Sequence, residues 1–287
     1  MKFNKEQEIN AVPFMQQLAE RISKKINRDL SEIEQLQHNP ESAIKFAKSS
    51  VKNIATLITS ECISFNEEHG VFIKEINSIK GVKRVEKPEY NWYVNPMSNL
   101  YNYSHANSNF AVSAALVSDK KHIICSMIYL PYYETLFYAT NKGGCYRIDH
   151  LGNTMKVRVA GRKPGDIISV SSSIPIIGKV AQAFDPRTIK ADITGCMLID
   201  SIRVASGQTD IVISENDWKV NSYAAELIIN QAKGIATVEV LAENIDKVNF
   251  VAGNHELVTK LDYFGGNEEL MESEKLVKDE ELVENKK

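Results

Sequence analysis

The chain has 287 residues, 43% hydrophobic and 25% charged, with a net charge of −3 and a pI near 6.1. That is ordinary globular composition with ample length for a core, and it excludes an overall basic field that would draw the chain to nucleic acid, although a local basic patch stays open. The four cysteines, Cys62, Cys125, Cys145 and Cys196, are widely spaced with no C-x-x-C pair, which argues against structural zinc and reads as buried thiols in a reducing cytosol.

The opening MKFNKEQEINAVPF is charged and has no apolar h-region, so no secretory signal is expected. Residues 5–36 read as a helix, with Phe14, Leu18, Ile22 and Ile26 at spacings of four. Asn39-Pro40 breaks it, and 42–65 reads as a second helix carrying Ile54, Leu57, Ile58 and Ile63. Strands are expected at 71–73 and 92–94. An antiparallel meander is expected at 110–117, 122–130 and 135–138, with turns at Pro131 and Gly143-Gly144. The apolar run Ile123 to Leu130 is far too short to span a membrane, so a cytoplasmic protein with no membrane association is expected.

Further on, 167–171 reads as a strand, 181–184 as the start of a short helix, and 195–205 as a helix closed by Gly207. A strand at 211–213 follows, then a helix at 222–231 closed by Lys233-Gly234. The run ends with a strand at 250–252 and a helix at 256–261. Helices and strands interleave throughout, so the class is α/β or α+β. After Gly265-Gly266 come eight acids and four lysines, a local charge of −4, which reads as a solvated tail or, alternatively, a partner-binding segment.

The stretch NWYVNPMSNLYNY, Asn91 to Tyr103, poses a question. It is a strand running into a tight polar loop that carries no acid. Together with the following SHANSNFAVSAALVSDKK it resembles the metal-site signature of the inositol monophosphatase family, W-x-x-D-P-[IL]-D-G-T-x-N-[FY]. YLPYYETLFYATNKGGCYRI, KVRVAGR, TGCMLIDSIRVASGQTD, LIINQAKG and VAGNHELVTKL follow in the family's order, over about residues 10 to 262. INRDLSEIEQLQ further resembles the bacterial SuhB, or extragenic suppressor, branch.

The resemblance implies a layered αβαβα sandwich, a homodimer, and a Mg²⁺-dependent phosphomonoesterase whose carboxylates hold the metal. It implies an N-terminal α+β half over 1–150, a C-terminal α/β half over 151–265, and the acidic tail over 266–287. Carried over position by position, it finds almost no carboxylate. The first Asp is Asn95, the aliphatic position is Met97, the second Asp is Ser98, and the phosphate-cradling Gly-Thr is Asn99-Leu100. The family's Glu-Glu pair falls on Lys74 and Glu75, and its helix Asp on Lys48. The late Asp falls on Asn221 or Lys219, with Asp217 nearby, and the substrate-binding Glu on Ser214, with Glu215 adjacent.

The degenerate ligand positions are therefore Lys74, Asn95, Met97, Ser98 and Asn221. This answers the question: the loop is polar because it resembles a metal site, and acid-free because its ligands are replaced. The expectation is a catalytically inactive homologue, a pseudoenzyme, that needs no cofactor. It would act through a partner, which the SuhB resemblance places in the transcription machinery. Lys48, Lys74, Asn99, Ser214 and Glu215 could keep a pocket for a phosphate-like anion, or the lysines could simply face water. The alternative is a Mg²⁺-dependent phosphatase of inositol or sugar monophosphates through a rearranged site of Glu75, Asp217 and Glu215. Nothing in the sequence signals nucleic-acid binding directly.

Overall fold

The computed structural model describes residues 5–74 and 86–264. Glu75 and the acidic tail expected at 266–287 lie outside them.

Two long helices open the chain, α1 (Lys5–Gln35) and α2 (Pro40–Phe65). A short 3-10 turn, Leu36–His38, separates them. The Asn39 side chain accepts the Ser42 amide at 3.2 Å and Pro40 takes the first helical turn, where its missing N–H costs nothing. The helices run antiparallel, with Arg21 meeting Glu61 near one end and Asp29 meeting Ser50 nearer the other.

A seven-stranded sheet follows in chain order: β1 (Gly70–Ile73), β2 (Tyr90–Asn95), β3 (Val112–Ser118), β4 (Ile123–Leu130), β5 (Thr135–Thr140), β6 (Gly144–Ile148) and β7 (Thr154–Lys156). The first pair is parallel and the rest antiparallel. The two-residue period sorts its faces. Trp92, Val94, Val112, Ala114 and Leu116 pack on α1 and α2, while Ala111, Ala115, Val117 and Ile128 face the other way. A five-residue helix, α3 (Leu100–Ser104), lies between β2 and β3 where the sequence suggested only a loop. It forms because the Asn99 side chain caps it, accepting the Asn102 amide at 3.0 Å.

The second sheet has the order β11-β12-β10-β8-β9 and comprises β8 (Ile168–Ser171), β9 (Ile189–Asp192), β10 (Ile211–Trp218), β11 (Ile235–Leu241) and β12 (Asn244–Gly253). Four helices accompany it: α4 (Ile174–Ala183), α5 (Met197–Ala205), α6 (Lys219–Gln231) and α7 (His255–Leu261). Leu198, Ile202, Ala224 and Ile228 of α5 and α6 fill the space between the two sheets. Ile176 and Val180 of α4 and Leu257 and Val258 of α7 cover the outer face of the second sheet. The result is the expected αβαβα layering.

Several elements differ from the sequence reading. The helix expected to begin at 181–184 ends there instead; it starts at Ile174, where Pro175 sits in its first turn. β10 runs five residues past Ile213, through a register shift between Ser214 and Asp217 with Asn216 at φ +56°. β6, β7, β9 and β11 are short or exposed, and their alternation is too weak to read. All four cysteines are free and buried.

Candidate functional site

The site lies where the end of β2, the bulged end of β10 and the start of α6 converge. Asn95 is fully buried, and its Oδ1 accepts the Met97 amide at 3.1 Å, which shapes the turn leaving β2. Its Nδ2 donates to Oδ1 of Asn221 at 2.6 Å, and Asn221 Nδ2 donates in turn to Oδ1 of Asp217 at 2.7 Å. Asp217 also takes the Trp218 amide on Oδ1 at 2.6 Å and the Ser214 hydroxyl on Oδ2 at 3.0 Å. A directed amide chain thus runs from the first sheet into the second and ends on one carboxylate with three donors. Ser113, the cross-strand neighbour of Asn95, is buried with its hydroxyl unpartnered.

The rest of the loop is tied to the segment entering α5. Ser98 Oγ accepts the Ala111 amide at 3.0 Å and meets Cys196 Sγ at 2.9 Å. Burial pushes that thiol up to about 11, which keeps it protonated and unreactive at neutral pH. Asn99 Nδ2 donates to the Gly195 carbonyl at 2.7 Å, and Asn102 Nδ2 to the carbonyls of Asn109 at 2.7 Å and Thr194 at 3.3 Å. Gly195 holds φ +71°, so only glycine sits there without strain. Met97 and Leu100 pack into the first core.

The remaining candidates fall around this centre. Lys74 continues the β1 pairing, its amide donating to the Val94 carbonyl at 3.0 Å, and its Nζ lies 5.3 Å from the Trp218 ring centre. Lys247 Nζ lies 3.7 Å from the same ring and donates to the Asn216 carbonyl at 3.2 Å. One indole therefore faces two ammonium groups. Glu215 pairs with Lys179 at 3.0 Å and with the Tyr263 hydroxyl. The hydroxyl first, then the ammonium, hold its carboxyl below the usual range. Lys48 is exposed on α2, with no bond to the amide chain.

The structure thus bonds Asn95, Asn221 and Ser214 together through Asp217, ties Ser98 and Asn99 separately to Cys196 and the Gly195 carbonyl, sets Lys74 over Trp218, and gives Glu215 other partners. Lys247 escaped the sequence reading because it reaches Trp218 only through the β10–β12 register. Cys196 was named only as a thiol. Its place in the matched TGCMLID stretch was the available signal.

Magnesium needs hard, preferably anionic oxygens. The described residues present two amides already bonded to each other, a hydroxyl engaged by an amide and a thiol, an ammonium and one triply hydrogen-bonded carboxylate. Among the described residues, no three or more His, Cys, Asp or Glu side chains converge as a metal site. This donor set does not fit Mg²⁺.

Comparison with known proteins places the chain. It is 23% identical over 236 residues to an inositol-1-monophosphatase of Caulobacter vibrioides, covering 78% of this chain and 88% of that protein. It is 22% identical over 183 residues to a putative Nus factor SuhB of Neisseria meningitidis, covering 60% and 67% respectively. Among solved structures, the extragenic suppressor protein SuhB of Bartonella henselae superposes with a TM-score of 0.70 at 22% identity, covering 88% of this chain and 97% of that one. Inositol monophosphatase II of Staphylococcus aureus superposes with a TM-score of 0.70 at 18% identity, covering 92% and 97%. The model of the inositol monophosphatase family matches residues 6–260, nearly the whole described fold, and the chain belongs to that family.

Proposed function

We propose that this chain is a non-hydrolysing, SuhB-like member of its family that acts by binding. The observation that carries the reading is the Asn95–Asn221–Asp217 chain. In it, positions that resemble metal ligands are neutral amides bonded to each other. Opening the chain to admit a dication would leave buried amide groups unsatisfied, at about 1–3 kcal/mol each. The amides would return no anionic charge to offset dehydration of the ion. Lys74, whose Nζ lies 5.3 Å from the ring of Trp218 next to Asp217, brings a positive charge and no oxygen ligand.

Two kinds of ligand suit such a protein. A phosphate-like anion matches the ammonium groups of Lys74 and Lys48 in charge. A macromolecular partner, in the transcription machinery by analogy with the Nus factor relative, requires a surface rather than a metal site. The protein acts as a homodimer in this reading.

A second reading keeps a Mg²⁺-dependent phosphatase of inositol or sugar monophosphates. It is favoured by Asp217, a carboxylate at the site with Glu215 two residues away. Calorimetric titration separates the two. The binding reading expects no saturable heat with Mg²⁺ through the millimolar range, and stoichiometric Mg²⁺ binding supports the phosphatase.

A further inference from the structure

Two ammonium groups from different sheets meet on one indole at the bulged end of β10. Lys247 Nζ lies 3.7 Å and Lys74 Nζ 5.3 Å from the Trp218 ring centre. Lys247 is held there as the register partner of Trp218, and Lys74 as the residue that continues β1. The indole attracts each cation through its quadrupole but carries no charge to cancel either, so the two ammonium groups repel across the ring. All three side chains are half-buried and keep contact with solvent. The acids of the neighbouring strand positions are committed elsewhere. Asp217 takes the amides of Asn221 and Trp218 and the hydroxyl of Ser214, Glu215 pairs with Lys179 and Tyr263, and Glu239 accepts the Asn249 side-chain amide at 2.8 Å. Asp246 precedes Lys247 and so points to the opposite face of β12. Among the described residues no carboxylate lies within 4 Å of the Lys247 ammonium.

The chain itself carries the missing charge, and it leaves the described fold beside this bulge. The Tyr263 hydroxyl bonds Glu215, and the Lys179 ammonium lies 5.4 Å from the Tyr263 ring centre. Glu215 and Trp218 are three residues apart in β10, a separation of at most about 10 Å. Phe264 is followed by GGNEELMESE, in which Glu268, Glu269, Glu272 and Glu274 stand with no Lys or Arg before Lys275. These acids are four to ten residues beyond Phe264, a reach of about 13–33 Å. The tether makes their encounter with the cation pair intramolecular, at an effective concentration that does not depend on dilution.

We propose that the Lys74–Trp218–Lys247 site receives the chain's own acidic segment, residues 268–274, with its carboxylates against the two ammonium groups. The segment then competes with a phosphate-like anion for Lys74, so the proposal extends the anion reading of that lysine and makes the site self-occluding.

The test places a nitroxide on Ser273→Cys in the full chain and reads tryptophan emission at low salt against a diamagnetic analogue of the label. The four native cysteines are buried, so the added thiol is the one that reacts. Of the two tryptophans, Trp92 is fully buried in the first core, and Trp218→Phe measures its constant background. The nitroxide is expected to quench Trp218. Lys247→Gln is expected to reduce the quench by about half or more. Changing Glu268, Glu269, Glu272 and Glu274 together to Gln is expected to abolish it, as is about 1 M salt, where the Debye length falls to about 3 Å. Matching thermal melts show that the variants fold. No quench overturns the proposal, as does a quench unchanged by Lys247→Gln or by salt. A quench that fades on dilution assigns the segment to a second copy of the chain and also overturns it. No phosphate enters the assay, so a failure here leaves the anion reading to its own melting test.

Discussion

Asn95 and Asn221 share a 2.6 Å hydrogen bond that ties the last residue of a strand in the first sheet to the first turn of the helix between the sheets. The bond has a direction. Asn95 donates from Nδ2 because its Oδ1 is committed to the Met97 amide, and Asn221 accepts on Oδ1 because its Nδ2 is committed to Asp217.

That direction predicts the outcome of a single repair. Asn95→Asp faces one buried acceptor with another. Asn221 must then either tolerate the clash of lone pairs or turn over and release Asp217. The expected cost is about 2–4 kcal/mol in urea unfolding at neutral pH, with no recovery on adding Mg²⁺. A variant as stable as the native chain would contradict the bonded arrangement.

A second buried network lies in the first core. Asp29 is buried between α1 and α2, accepting the Ser50 hydroxyl at 2.6 Å, with Arg28 at 3.2 Å on its other oxygen. Because Ser50 donates to Asp29, the Tyr103 hydroxyl donates to Ser50. Ser50→Ala strips a buried carboxylate of a donor, at about 2–3 kcal/mol, while Tyr103→Phe removes an outer donor, at about 0.5–1.5 kcal/mol. Denaturant melts should rank them in that order. The reverse order would mean that Asp29 does not depend on Ser50.

The layers were legible in the sequence because their signals are strong. The row Leu18, Ile22, Ile26 and the alternation from Val112 to Val117 mark buried faces without knowledge of neighbours. The acid-free polar turn at Asn95, Ser98 and Asn99 was legible because it is a matter of residue type within one short segment. What those side chains bond was not legible. The pairing of Asn95 with Asn221 spans 126 residues, that of Ser98 with Cys196 spans 98, and Lys247 meets Trp218 only through a bulged register. Such contacts belong to the packing of two sheets and leave no periodicity in either segment.

Two buried groups give opposing pH dependences. Burial pushes Asp200 up to about 6 and His69 down to about 4. Between about pH 4 and 6 native Asp200 keeps a proton that the unfolded chain has released, so its contribution fades as pH rises through that window. His69 refuses a proton that the unfolded chain accepts below about 6.5, so its contribution fades as pH falls towards 4. Asp200→Asn keeps an acceptor for the Thr194 hydroxyl, now 2.7 Å from Asp200 Oδ1, and removes only the first effect. The variant should be more stable than the native chain at pH 7.5, by about 1–3 kcal/mol, and lose stability more steeply on acidification to pH 4.5. Urea melts at several pH values measure this, and parallel curves for the two proteins would contradict it.

The anion reading of the cleft has its own consequence. Inorganic phosphate at about ten times its dissociation constant should raise the melting temperature by about 2–5 °C, and Lys74→Ala should abolish the shift. A shift that survives Lys74→Ala would move the anion elsewhere, and no shift at all would remove it.

The central claim is that the site does not turn over substrate, and the most direct measurement is release of phosphate from inositol monophosphate and from a generic phosphomonoester, with millimolar Mg²⁺ and with EDTA. The account predicts release at the buffer rate under both conditions, for the native chain and for Asn95→Asp alike. Release by the native chain that rises with Mg²⁺ and vanishes with EDTA would contradict it, and would point to Glu75, Asp217 and Glu215 as the working carboxylates.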